Sequence, residues 1–115
     1  MPSDLEAAFL TRWKQLAPRA PAPTPEYPFA AHIKRKFRFD FAWLPQKVAV
    51  ELEGGLYSRG AHARPVGIER DIEKGNLAVL LGWRVLRFST KMLTNDPARS
   101  IGAVQALLAG GPCGI

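Results

Sequence analysis

The chain has 115 residues, enough for one core of packed layers and too few for two domains. With 47% hydrophobic and 23% charged residues, wholesale disorder is excluded. The longest uncharged apolar stretch, Leu77 to Trp83, falls far short of the roughly 20 residues of a membrane span. Sixteen Lys and Arg against ten Asp and Glu leave a net charge of +6 and a pI near 10.0. That balance favours a polyanionic partner, nucleic acid ahead of an anionic membrane surface. Between Ala7 and Phe39 the only acid is Glu26. Asp4 and Glu6 stand where a secretory leader would be basic, so a cytoplasmic protein is expected. The single cysteine, Cys113, can form no internal disulfide and cannot hold zinc alone.

Ser3 to Leu16 predicts a helix, because Leu5, Phe9, Trp13 and Leu16 recur at helical spacing and make one apolar stripe. Ser3 with Glu6 fits a capping box at its start, and Pro18 ends it. Residues 18–31, with Pro18, Pro21, Pro23, Pro25 and Pro28, read as an extended linker. From Lys36 to Trp43 the pattern alternates strictly: Phe37, Phe39, Phe41 and Trp43 on one face, Lys36, Arg38, Asp40 and Ala42 on the other. A turn at Leu44, Pro45 and Gln46 leads to a second strand over Lys47–Glu53, with Val48, Val50 and Leu52 opposite Ala49, Glu51 and Glu53. The two strands should pair as a hairpin.

Gly54 and Gly55 break the second strand, and a loop to about Pro65 carries Tyr57, Arg59, His62 and Arg64. A helix is expected over about Gly67–Leu81 with its stop at Gly82, then a strand over Trp83–Phe88. A last helix begins near Asn95 or Asp96, with Pro97 in its first turn, and residues 110–115 form a loose tail. No internal repeat is present. The expectation is a single α/β domain over residues 1–115, a small mixed β-sheet flanked by helices in the order α-β-β-α-β-α. A helical crossover between the second and third strands permits parallel pairing. Trp13, Trp43 and Trp83 are expected in the core.

The unusual residues are acidic. Asp40 lies mid-strand opposite an aromatic face, and Glu51 and Glu53 lie in a strand reading Val-Ala-Val-Glu-Leu-Glu. Acids are poor strand formers, and burying one without a partner is costly. Across the hairpin Asp40 and Glu51 come close, and converging oxygen ligands suit Mg²⁺ or Mn²⁺. The plain alternative is pairing with nearby bases, among them Arg38, Lys36 and Lys47. A divalent metal beside a basic surface points to phosphodiester chemistry.

On these residues the chain resembles the PD-(D/E)XK nuclease superfamily over roughly Lys36 to Thr90. The resemblance rests on an ordered set: a strand with Asp40, a strand with Glu51-Leu-Glu-Gly-Gly, then Gly60-Ala-His62, Asp71-Ile-Glu-Lys74 and Gly82-Trp-Arg-Val-Leu-Arg87. It is similar to small phage and archaeal-type Holliday-junction resolvases and to very-short-patch repair endonucleases, whose cytoplasmic setting would be bacterial or phage-infected. It implies a restriction-endonuclease-like core, a magnesium-dependent endonuclease (manganese as substitute), and metal ligands at Asp40, Glu51 and the Leu52 carbonyl. Glu6 matches an N-terminal helix acid that many resolvases add to the metal site, and equally fits the helix cap. The family's lysine two positions after Glu51 is replaced here by Glu53. Three residues are candidates to stand in for that lysine. Lys74 is one, with a helix pair to Asp71 as its alternative; His62 as a base is another; Glu53 itself is the third.

For DNA contact, Arg59, Arg64 and the run Lys34, Arg35, Lys36 and Arg38 would neutralise phosphates, and Tyr57 would stack on a base or pack on the domain. The leading expectation is a Holliday-junction resolvase acting on branched or duplex DNA as a C2 homodimer. The stripes of the first and last helices would supply the interface or the core. The alternatives are a very-short-patch-like or general nicking endonuclease and a non-catalytic DNA-binding module. No membrane partner is expected, since the Lys34–Arg38 run leads into a strand and not an amphipathic helix.

Overall fold

Helix α1 (Asp4–Leu16) begins as its sequence predicts. The Ser3 hydroxyl accepts from the Glu6 N–H at 3.1 Å, and the Ser3 N–H donates to Glu6 Oε1 at 3.3 Å, which closes the capping box. The computed structural model describes residues 3–54 and 65–110. The expectations for Tyr57, Arg59, His62, Arg64 and Cys113 lie outside those residues. After α1 the order is β1 (Thr24–Tyr27), a 3₁₀ turn (Ala31–Ile33), β2 (Phe39–Trp43), β3 (Val48–Glu53), α2 (Pro65–Leu80), β4 (Arg84–Ser89), α3 (Thr90–Asn95) and α4 (Pro97–Leu108).

The strands form one mixed sheet in the order β1-β2-β3-β4. β2 is antiparallel to both β1 and β3, and β4 runs parallel to β3 after the α2 crossover. The hairpin turn places Lys47 at φ +53°, and Gly82, φ +86°, takes the left-handed position past the end of α2 that glycine tolerates. Lys47 Nζ donates to the Leu81 carbonyl at 2.8 Å, so the hairpin caps α2.

Each sheet face is covered. On one, Phe9 and Trp13 of α1 and Ile101 and Val104 of α4 pack on Phe41, Trp43, Val48, Val50 and Phe88. On the other, Phe29, Phe37, Ala78 and Trp83 pack on Phe39, Ala42 and Ala49. All three tryptophans are buried as expected. Phe41 is fully buried and its ring lies 5.0 Å from that of Phe9. Phe41→Ala should therefore cost about 3–5 kcal/mol, read as a lowered urea midpoint at unchanged slope.

The structure corrects three expectations. The aromatic residues of Lys36–Trp43 do not share a face: Phe41 and Trp43 join the α1/α4 side, whereas Phe37 and Phe39 join the α2 side. Phe37 precedes the ladder and is not held by its pleat, and Phe39 opens β2 where the neighbouring β1 carries Glu26 at φ +50°, so the regular alternation holds only from Phe41 on. The proline-rich stretch is more than a linker, because Thr24–Tyr27 forms the edge strand beside β2, an edge being where Pro25 is tolerated. Its approach is fixed by the Pro21 carbonyl, which accepts from Trp13 Nε1 at 3.2 Å and Trp43 Nε1 at 2.8 Å. Thirdly, α3, a short helix capped by Ser89, precedes α4 where a direct connection was expected.

Candidate functional site

The register that pairs Phe41 with Val50 sets Asp40 of β2 beside Glu51 of β3 one step further along. Asp40 Oδ2 accepts the Leu52 N–H at 2.7 Å. Asp40 is also the meeting point for two acids from elsewhere: Glu6 of α1 and Glu26 of β1 each offer a carboxylate oxygen, and the three lie within 4.8 Å of one another. Glu6 thus caps the helix and also belongs to this acidic cluster. Its side chain is buried, while Asp40 is half-buried and Glu26 exposed.

Sequence reasoning assigns Glu26 no role. The signal for it is its position as the lone acid in a basic stretch. It holds a left-handed φ of +50° within a strand, a conformation uncommon for a non-glycine residue.

On β3, Glu51 Oε1 is 2.7 Å from Lys74 Nζ of α2, both side chains mostly buried. Glu53 accepts from Arg87 of β4, the Nε donor at 2.8 Å. The acids therefore pair with bases, but with Lys74 and Arg87 in place of Arg38, Lys36 and Lys47. Lys47 is engaged with the α2 C-terminus instead.

Burial dominates the electrostatics of these acids. Burial raises the Glu51 carboxyl to about 7 even though Lys74 pulls the other way, and Asp40 and Glu53 add to the rise. Asp40 is also raised, chiefly by burial, with Glu6 and Glu53 reinforcing it and the Leu52 N–H and Lys74 opposing. Glu26 is raised by loss of water, by the charge and hydrogen bond of Glu6, and by Asp40.

Asp40, Glu51, Glu53 and Lys74 line one cleft of about 350 Å³. Leu52 contributes its N–H to Asp40. Of the basic run, Lys34, Lys36 and Arg38 are exposed. Arg35 is bound to Glu73 of α2 and lies 4.7 Å above the Phe37 ring, which ties it to the fold. The stripes of α1 and α4 lie in the core, apart from Leu16 at the end of α1, which is exposed. Exposed apolar side chains sit on α2 at Ile68, Ile72 and Val79. Among the described residues no helix is long and apolar enough to cross a membrane. No protein-family model, curated protein or solved structure matches the chain.

Proposed function

We propose that the chain is a metal-dependent, structure-selective DNA endonuclease with a PD-(D/E)XK-like core, resolution of four-way junctions being its particular activity. The observation that carries this reading is the ammonium of Lys74 at 2.7 Å from Glu51, beside an acid cluster centred on Asp40. Glu53 stands where the family pattern has lysine, and α2 returns a lysine to the same acids from another element.

Asp40, Glu6 and Glu26 would make an all-oxygen donor set that suits Mg²⁺ or Mn²⁺. A divalent ion bound there would polarise the scissile phosphate and lower the pKa of an attacking water. The chain's own groups do the rest. Lys74 orients the water and supports negative charge as it develops, the Leu52 N–H fixes the Asp40 carboxylate, and Lys34, Lys36 and Arg38 hold the DNA backbone. Cutting a symmetric junction twice calls for a C2 homodimer. With the α1 and α4 stripes in the core, its interface would draw on the exposed apolar residues of α2.

The test is cleavage of a labelled four-way junction and its matched linear duplex in Mg²⁺, Mn²⁺ or EDTA. Paired nicks on the junction alone, lost in EDTA, are expected. Cutting of junction and duplex alike would remove the resolvase assignment and favour a general or very-short-patch-like nicking enzyme. A second reading, a non-catalytic DNA-binding module, is favoured by Glu53 and its pairing with Arg87. It predicts junction binding with no cleavage in either metal.

A further inference from the structure

The face that α2 turns away from the sheet carries four large apolar side chains: Ile68 is 50% exposed, Ile72 57%, Val79 72% and Leu80 81%. Helical spacing gathers them on one side, with Gly75 and Asn76 between them. A contiguous apolar patch marks an interaction surface, whereas apolar residues scattered singly do not. The bases of α2 itself point elsewhere: Lys74 reaches Glu51, and Arg70 lies 5.3 Å from the centre of the Phe37 ring. The two bases at the rim already carry an acid each, Arg35 with Glu73 and Arg87 with Glu53. In a chain of net charge +6, this is a place where two copies can meet without setting like charges together, and Glu69 beside it disfavours a polyanion.

The surface is shaped as its own complement. Ile72 and Asn76, one turn apart, form a ridge with a groove on each side. One groove is lined by Glu69, Leu77 and Leu80, the other by Ile68, Asp71 and Gly75. Ridges of this kind pack into such grooves when two helices cross. A glycine inside a helix lowers its stability relative to alanine, yet nothing stands within 4 Å of where a Gly75 Cβ would lie. Packing within one chain does not require Gly75; the close approach of a second helix would.

We propose that α2 pairs antiparallel with α2 of a second copy, about a two-fold axis beside Gly75 and Asn76, midway between Ile72 and Val79. The ridge of each copy fills the Gly75 groove of the other, and Ile72 packs on the second copy's Val79. The Asn76 carboxamides, each both donor and acceptor, meet at the axis. Antiparallel pairing sets Glu69 towards the second copy's Lys47, which is held at the end of α2 by its bond to the Leu81 carbonyl. Parallel pairing would set acid against acid and align the helix dipoles. The inference rests on the homodimer of the nuclease reading and gives it a definite contact; association is measured without DNA, so either can fail alone.

The test is the mass of the full chain by sedimentation velocity, up to about 100 μM, a concentration that reveals even a micromolar dimer. Twice the single-chain 12.7 kDa is expected, and a single-chain mass at the highest concentration overturns the proposal. Ile72→Glu should weaken pairing at least about 100-fold, because it buries an unmatched charge. A folded variant that pairs as tightly as its parent overturns the proposal as well. Register is read by disulfide formation with Cys113 changed to Ser. Asn76→Cys should cross-link two copies on mild oxidation. Ile68→Cys should not, since at 1.5 Å rise per residue it lies roughly 20 Å from its counterpart. Cross-linking at Ile68 in preference to Asn76 overturns the antiparallel contact. A dimer that cuts no junction sustains the contact and sinks the nuclease; a monomer that cuts does the reverse.

Discussion

Asp40→Asn should abolish metal-dependent cleavage while leaving the metal-free protein more stable than its parent. On the nuclease reading, this removes the carboxylate that Glu6 and Glu26 approach within 4.8 Å. With several kcal/mol of transition-state stabilisation at stake, a fall of at least about 10³-fold is expected. The amide keeps an oxygen for the Leu52 N–H, which Asp40 now accepts at 2.7 Å, so the hairpin retains that contact. It drops a half-buried charge that Glu6 and Glu53 both press upon. A melting temperature in EDTA higher by a few degrees, with junction affinity retained, is the expected signature of a site that trades stability for function. Unchanged cleavage by Asp40→Asn would refute the metal assignment. A lowered melting temperature would show that the carboxylate is a structural acceptor first.

The second large effect is in pH. Glu51 has a folded-state value of about 7 against an ordinary 4.5, so its protonated form is favoured by folding. The stability it contributes is full below about pH 4.5 and is lost as pH rises through about 7. The shift corresponds to roughly 3 kcal/mol, on the order of 10 °C in melting temperature, for the metal-free protein. Asp40 and Glu26 shift in the same direction, so the decisive comparison is between the parent and Glu51→Gln. In EDTA from about pH 4 to about pH 9 the variant should show a visibly flatter fall. Lys74→Met should move the loss to higher pH, because Lys74 is what holds Glu51 down. The same variant should lower cleavage by about 10²- to 10³-fold if Lys74 supports the developing charge. A pH profile identical in parent and Glu51→Gln would mean that Glu51 titrates normally.

Much of this was legible in the residues. The α1 cap needed only Ser3 and Glu6, and the β2–β3 hairpin needed only alternation and a short turn. The partnership of Asp40 with Glu51 followed from that hairpin. What escaped depended on the third dimension. Thr24–Tyr27 looks like a linker because its prolines forbid a central strand, and only the arrangement of the sheet makes it an edge. Phe37 lies before the β2 ladder and Phe39 at its first residue, where strand alternation no longer governs which face a side chain takes. Lys74 offered two partners, Asp71 on its own helix and the acids of the sheet. The contact with Glu51 depends on how α2 lies across the sheet, which no local pattern encodes. Glu26 escaped for the same reason: its distance from Asp40 along the chain hides their proximity in space.

Glu6 closes the first turn of α1 and also lies beside Glu26 and Asp40, so one carboxylate is shared between a helix end and the acidic cluster proposed to hold the metal. Helix ends ordinarily fray at little consequence to the rest of a molecule. Here each opening of that turn would withdraw a ligand, and an ion drawing on Glu6 would compete with the Ser3 N–H for it. Loading of the centre and amide exchange at the start of α1 would then rise and fall together, a thermodynamic linkage between the chain's first helical turn and a cluster whose other members lie 20 to 34 residues away.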